Sequence, residues 1–140
     1  QVRQIGIHSF ANSAPYRRWC DEQGIGIATM ADVEAEGIDH VVSRALGELA
    51  AGCEWIHVDF DIDVLDRAFA PGCPGARPGG MTPRQLVAAA RLCGRHPKVR
   101  SADFVEVDPV ADRDDVTVMA LAGTLLAFLS GAAQLKESER

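Results

Sequence analysis

The sequence predicts an α/β fold of three layers, a parallel sheet with helices on both faces, within one unit of 140 residues. Three observations predict it. Strand-like runs alternate with helix-like segments along the whole chain. Trp55–Asp61 has the near-continuous apolar character of a strand buried on both faces. Acidic residues gather where that run and the later run Val99–Val107 end, and open α/β sheets build their sites beyond the carboxyl ends of strands.

In chain order, Val2–His8 sets β-branched residues between polar ones and reads as a first strand, which the loop Ser9–Pro15 ends. A short helix follows over Tyr16–Gln23. Gly24 and Gly26 punctuate, Ile25–Thr29 reads as a second strand, and Met30–Glu36 as one or two helical turns stopped by Gly37. From Asp39, the expected N-cap, apolar residues recur at helical spacing through Val41, Val42, Ala45, Leu46, Leu49 and Ala50, with Gly52 just past the end. Ala70–Gly80 holds three prolines and four glycines and is expected to be an ordered loop. Thr82 and Pro83 open a helix that Gly94 should close. Asp114 or Asp115 is the expected cap of a last apolar helix running from Val116 to about Leu129. Gln134–Arg140 reads as a charged, frayed tail.

Composition narrows the partners. The net charge is -6 and the basic residues are scattered, so no nucleic-acid footprint is present. The apolar run Val116–Leu129 is too short for a bilayer and contains Thr117 and Thr124, so a buried helix is expected and no membrane. Cys20, Cys53, Cys73 and Cys93 form no CxxC pair, which reads as free thiols in a cytoplasmic protein. The first residue is not Met and the chain enters an apolar stretch at once, which reads as part of something longer.

The segment Asp59-Phe60-Asp61-Ile62-Asp63-Val64-Leu65-Asp66 carries the most chemistry. On extended backbone, alternation puts Asp59, Asp61 and Asp63 on one side. Converging carboxylates at the end of a buried strand cost several kcal/mol unless a cation neutralises them. Oxygen donors favour a hard or borderline ion such as Mg2+, Mn2+ or Ca2+. A solvated acidic loop is the plain alternative. An EF-hand does not fit, since neither Asp59 nor Asp61 is followed by Gly at the sixth loop position or Glu at the twelfth.

His57 through Asp66, followed by Ala68-Phe69-Ala70-Pro71-Gly72 and Pro78-Gly79-Gly80-Met81-Thr82, strongly resembles a metal-binding signature of the ureohydrolases, the family of arginase, agmatinase and formimidoylglutamase. Asp103-Phe104-Val105-Glu106-Val107-Asp108-Pro109, followed by an acid-capped helix, resembles a second family motif in the expected order. The resemblance implies an arginase-like fold, of which residues 1–140 would be the C-terminal portion of one domain. It implies two Mn2+ ions in the complete site, with Asp61 bridging them and Asp63 a ligand of one. Asp66 and Asp59 would support these ligands from behind. Glu106 would be the catalytic, substrate-binding acid, meeting the planar cation of a guanidine or amidine through paired, charge-assisted hydrogen bonds. The implied reaction is metal-assisted hydrolysis of a carbon–nitrogen bond in a small linear amidine, by a homo-oligomeric enzyme.

The sequence departs from the family pattern. Arg67 stands where many members have Pro, and Cys73-Pro74-Gly75-Ala76-Arg77 replaces a Thr-Gly run. Arg77 could meet a substrate carboxylate, but solvation is the default for an exposed loop arginine. The family's other signature, an Asp-Ala-His-x-Asp run with an upstream His, is not in these residues, so the chain taken alone also fits a non-catalytic domain of the same fold. His57 is expected to be a satisfied core histidine, and His40 and His96 to be solvated, while His8 ends the first strand. A phosphoryl-transfer domain of the Asp-x-Asp kind lacks a following Thr/Ser-Gly context and a Lys partner.

Overall fold

In the computed structural model, residues 1–138 are described. Four strands and five helices follow in the order β1 (Arg3–Ile7), α1 (Ala14–Glu22), β2 (Gly26–Thr29), α2 (Met30–Glu36), α3 (Ile38–Gly52), β3 (Ile56–Asp61), α4 (Pro83–Arg95), β4 (Val99–Val105) and α5 (Val116–Ser138). The boundaries follow local chemistry. Thr29 and Thr82 each form a capping box, with Asp32 and Gln85 respectively, and Pro83 enters α4 in its first turn.

The strands are all parallel, as two pairs. β1 pairs with β2 and β3 pairs with β4, with no ladder joining the pairs. The expected parallel α/β architecture is present, its strands forming two pairs among the described residues, and α3 packs on β1 and on α4. One face of β3–β4 is closed: Phe60 and Phe104 stack at 4.9 Å between ring centroids, and Phe128 of α5 meets both edge-on. The opposite face carries exposed His57, Asp59, Ser101 and Asp103.

Several expected boundaries move, each for a local reason. α3 begins at Ile38 behind Gly37, which adopts φ 84, and Asp39 lies in its first turn instead of capping it. Gly94 does not end α4. It lies inside the helix, where a Cβ would strike the Phe128 carbonyl of α5, and Gly131 approaches the Arg91 carbonyl in the same way. The two glycines mark a close helix crossing. Asp112, not Asp114 or Asp115, caps α5. It accepts from the Arg113, Thr117 and Val118 amides at 2.9, 3.1 and 3.0 Å, while Asp114 and Asp115 have φ 51 and 56. Burial pushes the Asp112 carboxyl up, but bonds from Thr117, Val118 and Arg113 outweigh it and hold its pKa at about 2.

α5 does not stop near Leu129. It continues through Ser138, so most of the expected frayed tail is helical, and Glu139 and Arg140 lie outside the described residues. Val116–Glu137 is thereby long and apolar enough to cross a membrane by length and composition alone. Thr117, Thr124 and Ala127 are buried, Thr117 against the loop, where its Oγ1 accepts from the Gly72 amide at 2.7 Å, whereas Met119 and Leu126 are 70% and 65% exposed. The four cysteines are unpaired. Cys93 is buried, which pushes its thiol up to about 12.

Candidate metal centre

The acidic segment is anchored by the apolar residues between its acids. Phe60, Ile62 and Leu65 are buried, the last two completely, so Asp61, Asp63 and Asp66 are turned the other way. β3 ends at Asp61, where a single 3-10 turn, Ile62–Val64, begins. Asp61 caps that turn, its Oδ1 accepting from the Asp63 amide at 2.9 Å. The parallel register sets Asp61 opposite Val105, so Glu106 leaves β4 beside it.

These acids share one electrostatic environment. The Asp61 carboxyl is raised to about 6, first by burial and then, against the Asp63 amide bond, by the charges of Asp63, Asp59 and Glu106. Asp59 is raised by burial and by Asp103, the carboxyl directly across the ladder. Glu106 adopts φ 67. A left-handed conformation costs a non-glycine residue roughly 1–2 kcal/mol, and strain of this kind clusters at functional sites.

Asp66 orders the loop. Its Oδ1 accepts from the Ala68 amide at 2.8 Å and its Oδ2 from the Gly79 amide at 2.7 Å, which pins both ends of the proline- and glycine-rich segment. Arg77 braces the inside of that loop, its Nη1 donating to the Pro74, Gly75 and Ala76 carbonyls at 2.8, 2.9 and 3.0 Å, instead of being simply solvated. Arg67 donates to the Cys73 carbonyl at 2.9 Å. Gly75 presses on Asp63, to whose Oδ2 a Cβ would come within 2.7 Å.

The histidines fall differently from expectation. His57 is satisfied but lies on the open face of the sheet, not in the core: Nδ1 is 2.8 Å from Ser101 Oγ and Nε2 is 3.4 Å from Asp103 Oδ1. The strand alternation that groups it with Asp59 and Asp61 places it there, because nothing among the described residues packs over that face. Two residues gain roles that the sequence did not signal. Asp103 meets both His57 and Asp59. His8 joins two loops, with Nε2 2.7 Å from the Pro78 carbonyl oxygen and Nδ1 accepting from the Phe10 amide at 3.1 Å.

Asp61 and Asp63 present carboxylate oxygens only, the donors that hard divalent ions take. Among the described residues, however, no three His, Cys, Asp or Glu side chains are grouped to hold an ion. Two carboxylates alone are fewer donors than such an ion takes.

Comparison with known proteins points one way. The family model described as arginase family matches residues 1–130. Formimidoylglutamase of Halalkalibacterium halodurans is 41% identical over 128 residues, 91% of this chain and 40% of that protein. Arginase of Bacillus caldovelox is 32% identical over 124 residues, 86% of this chain and 41% of that protein. The crystal structure of formimidoylglutamase from Bacillus subtilis matches with a TM-score of 0.90 at 34% identity, over 93% of this chain and 40% of that one. The chain thus spans about two fifths of the length of the curated relatives it matches.

Proposed function

Since the chain belongs to the arginase family, we propose that it supplies part of the active site of an enzyme hydrolysing a carbon–nitrogen bond in a linear amidine or guanidine. Asp61 and Asp63 would hold two Mn2+ ions together with ligands from outside residues 1–138. The observation that carries this reading is the carboxyl group of Asp61, raised to about 6 by burial and by three neighbouring acids. Such a group is costly to keep ionised alone and favourable beside a divalent cation.

When bound, the ions would activate water for attack on the amidine carbon and offset the charge that develops there. Asp61, fixed by the Asp63 amide, and Asp63, crowded by Gly75, would set where that chemistry occurs. Glu106 would orient the substrate, since a carboxylate pairs with a planar amidinium through two charge-assisted hydrogen bonds. Its left-handed backbone aims the side chain as it leaves β4. Relatives 41%, 34% and 35% identical are named formimidoylglutamase, so the formimidoyl group of formimidoylglutamate is the first substrate to test, ahead of agmatine and guanidinobutyrate. The carriers of this activity would be homo-oligomers, as the family resemblance implies, and cytoplasmic, in keeping with four free thiols.

The test is formamide release from formimidoylglutamate by the full-length protein. Hydrolysis is expected with Mn2+ and should be lost in Asp61→Asn. Hydrolysis that is indifferent to both metal and substitution contradicts the proposal.

A second reading, an arginase-fold chain without catalysis of its own, is favoured by the lack of a three-donor group among the described residues. Formamide release by the full-length protein with Mn2+ separates the two: release is expected on the first reading and none on the second. Calorimetric titration of residues 1–140 with Mn2+ should show weak or absent binding, and a tight two-ion isotherm would exclude a chain that must be completed.

A further inference from the structure

We propose that His8 is a positioning residue for the site around Asp63, acting through the proline- and glycine-rich loop; this rests on the function given above. It does so by clamping one peptide group. His8 Nε2 is 2.7 Å from the Pro78 carbonyl oxygen, and the Gly79 amide donates to Asp66 Oδ2 at 2.7 Å. That oxygen and that N–H belong to the same peptide unit and point opposite ways, so a histidine and an aspartate hold it from two sides.

The partners fix the form of the ring. The Pro78 oxygen can only accept, so Nε2 carries a hydrogen; Nδ1 accepts from the Phe10 amide at 3.1 Å, so it carries none. His8 is therefore the neutral Nε2–H tautomer, set by one bond to its own loop and one to the next. Donors and acceptors then run in one direction, from the Phe10 amide through the ring and the Pro78–Gly79 peptide to the Asp66 carboxylate. Bonds aligned in this way polarise and strengthen one another.

The end of β1 is shaped to bring His8 there. Gly6 adopts φ 85, and a Cβ on it would come within 2.5 Å of Val64 and 2.6 Å of Met81, so β1 ends directly on the segment between Asp63 and Asp66 and on the close of the loop. Gly79 adopts φ 91, and a Cβ there would lie 3.1 Å from His8 Nε2. Glycine supplies both the backbone conformation and the clearance. The clamped peptide is coupled to Asp63 through the loop itself. Arg77 precedes Pro78 and ties the Pro74, Gly75 and Ala76 carbonyls to its Nη1, and Gly75 presses on Asp63. A shift of the Pro78–Gly79 peptide is thereby passed to Gly75 and on to the Asp63 carboxylate.

Two near-isosteric variants divide the bonds of the ring. The amide nitrogen of glutamine takes the place of Nε2 and keeps the bond to Pro78, whereas the amide oxygen of asparagine takes the place of Nδ1 and keeps only the bond to Phe10. Hydrogen exchange at the Gly79 amide of the metal-free, full-length protein reads the clamp: it should rise about tenfold or more in His8→Asn and stay within about threefold in His8→Gln. Mn2+ affinity, from calorimetry on the same proteins, should fall about tenfold or more in His8→Asn and stay within about threefold in His8→Gln. Unchanged Gly79 exchange in His8→Asn overturns the clamp. Equal Mn2+ affinity in all three proteins, or an equal fall in both variants, overturns the action on Asp63. An unsubstituted protein that binds no Mn2+ contradicts the function proposed above instead, and the exchange then still decides the clamp.

Discussion

Gly75 and Asp63 are in such close approach that a methyl group on Gly75 would come within 2.7 Å of Asp63 Oδ2. The loop thus fixes one of the two proposed metal ligands through the absence of a side chain. Gly75→Ala should displace the carboxylate and weaken Mn2+ binding by the full-length protein about tenfold or more, the scale of losses when ligand support is disturbed. A metal titration beside a circular-dichroism spectrum checks this, since the spectrum should stay the same. Unchanged affinity would mean that Asp63 does not bind the ion.

Asp66 acts on the same loop from its base. Both its oxygens accept backbone amides, from Ala68 and Gly79, so Asp66→Asn turns an amide donor toward another donor. The loss should be about 1–3 kcal/mol in urea unfolding. Trypsin should also cleave faster after Arg67 once the loop is no longer pinned.

Burial and neighbouring acids raise the Asp61 carboxyl to about 6 in the folded chain. The folded state therefore holds the proton more tightly than the unfolded one. The corresponding stability is present below the unfolded value of about 4 and is lost as pH rises through about 6. Two pKa units correspond to about 3 kcal/mol, and the half-buried position reduces this through solvent screening to about 1 kcal/mol. Metal-free protein should lose stability between pH 4 and 6 by that order relative to Asp61→Asn. A flat difference between the two proteins over this range contradicts the environment assigned to Asp61.

The anchor under the acids is apolar. Ile62 has no exposed surface and sits between Asp61 and Asp63. Ile62→Ala should destabilise the chain by about 2–5 kcal/mol through lost burial and the cavity left behind. Chemical denaturation reads this directly, and a loss below about 1 kcal/mol would show that the segment is not held by its core side.

Much of this was legible in the sequence because it depends on period and capping. The alternation through Asp59 and Asp61 and the Thr82–Pro83 start of α4 are local signals, and local structure follows them, whereas Asp63 falls in the 3-10 turn beyond the strand instead of on extended backbone. What was not legible depends on distant neighbours. Gly94 reads as a stop signal until α5 is seen to cross it. His57 reads as core because its strand is apolar, but burial is decided by whatever covers its face. The division into two strand pairs and the left-handed backbone of Glu106 have no local signature at all, since glutamate has no special tolerance for positive φ. Asp112 carries no local mark as a cap, because Asp114 and Asp115 stand closer to the helix, and only the fold of the preceding turn selects among the three.

The central claim is that Asp61 and Asp63 share the binding of metal ions. The most direct measurement is the Mn2+ content of the full-length protein after dialysis, compared with Asp61→Asn and Asp63→Asn variants of the same fold by circular dichroism. Two ions per chain are expected in the unsubstituted protein, with at least one lost in each variant. Equal metal content in all three would contradict the claim.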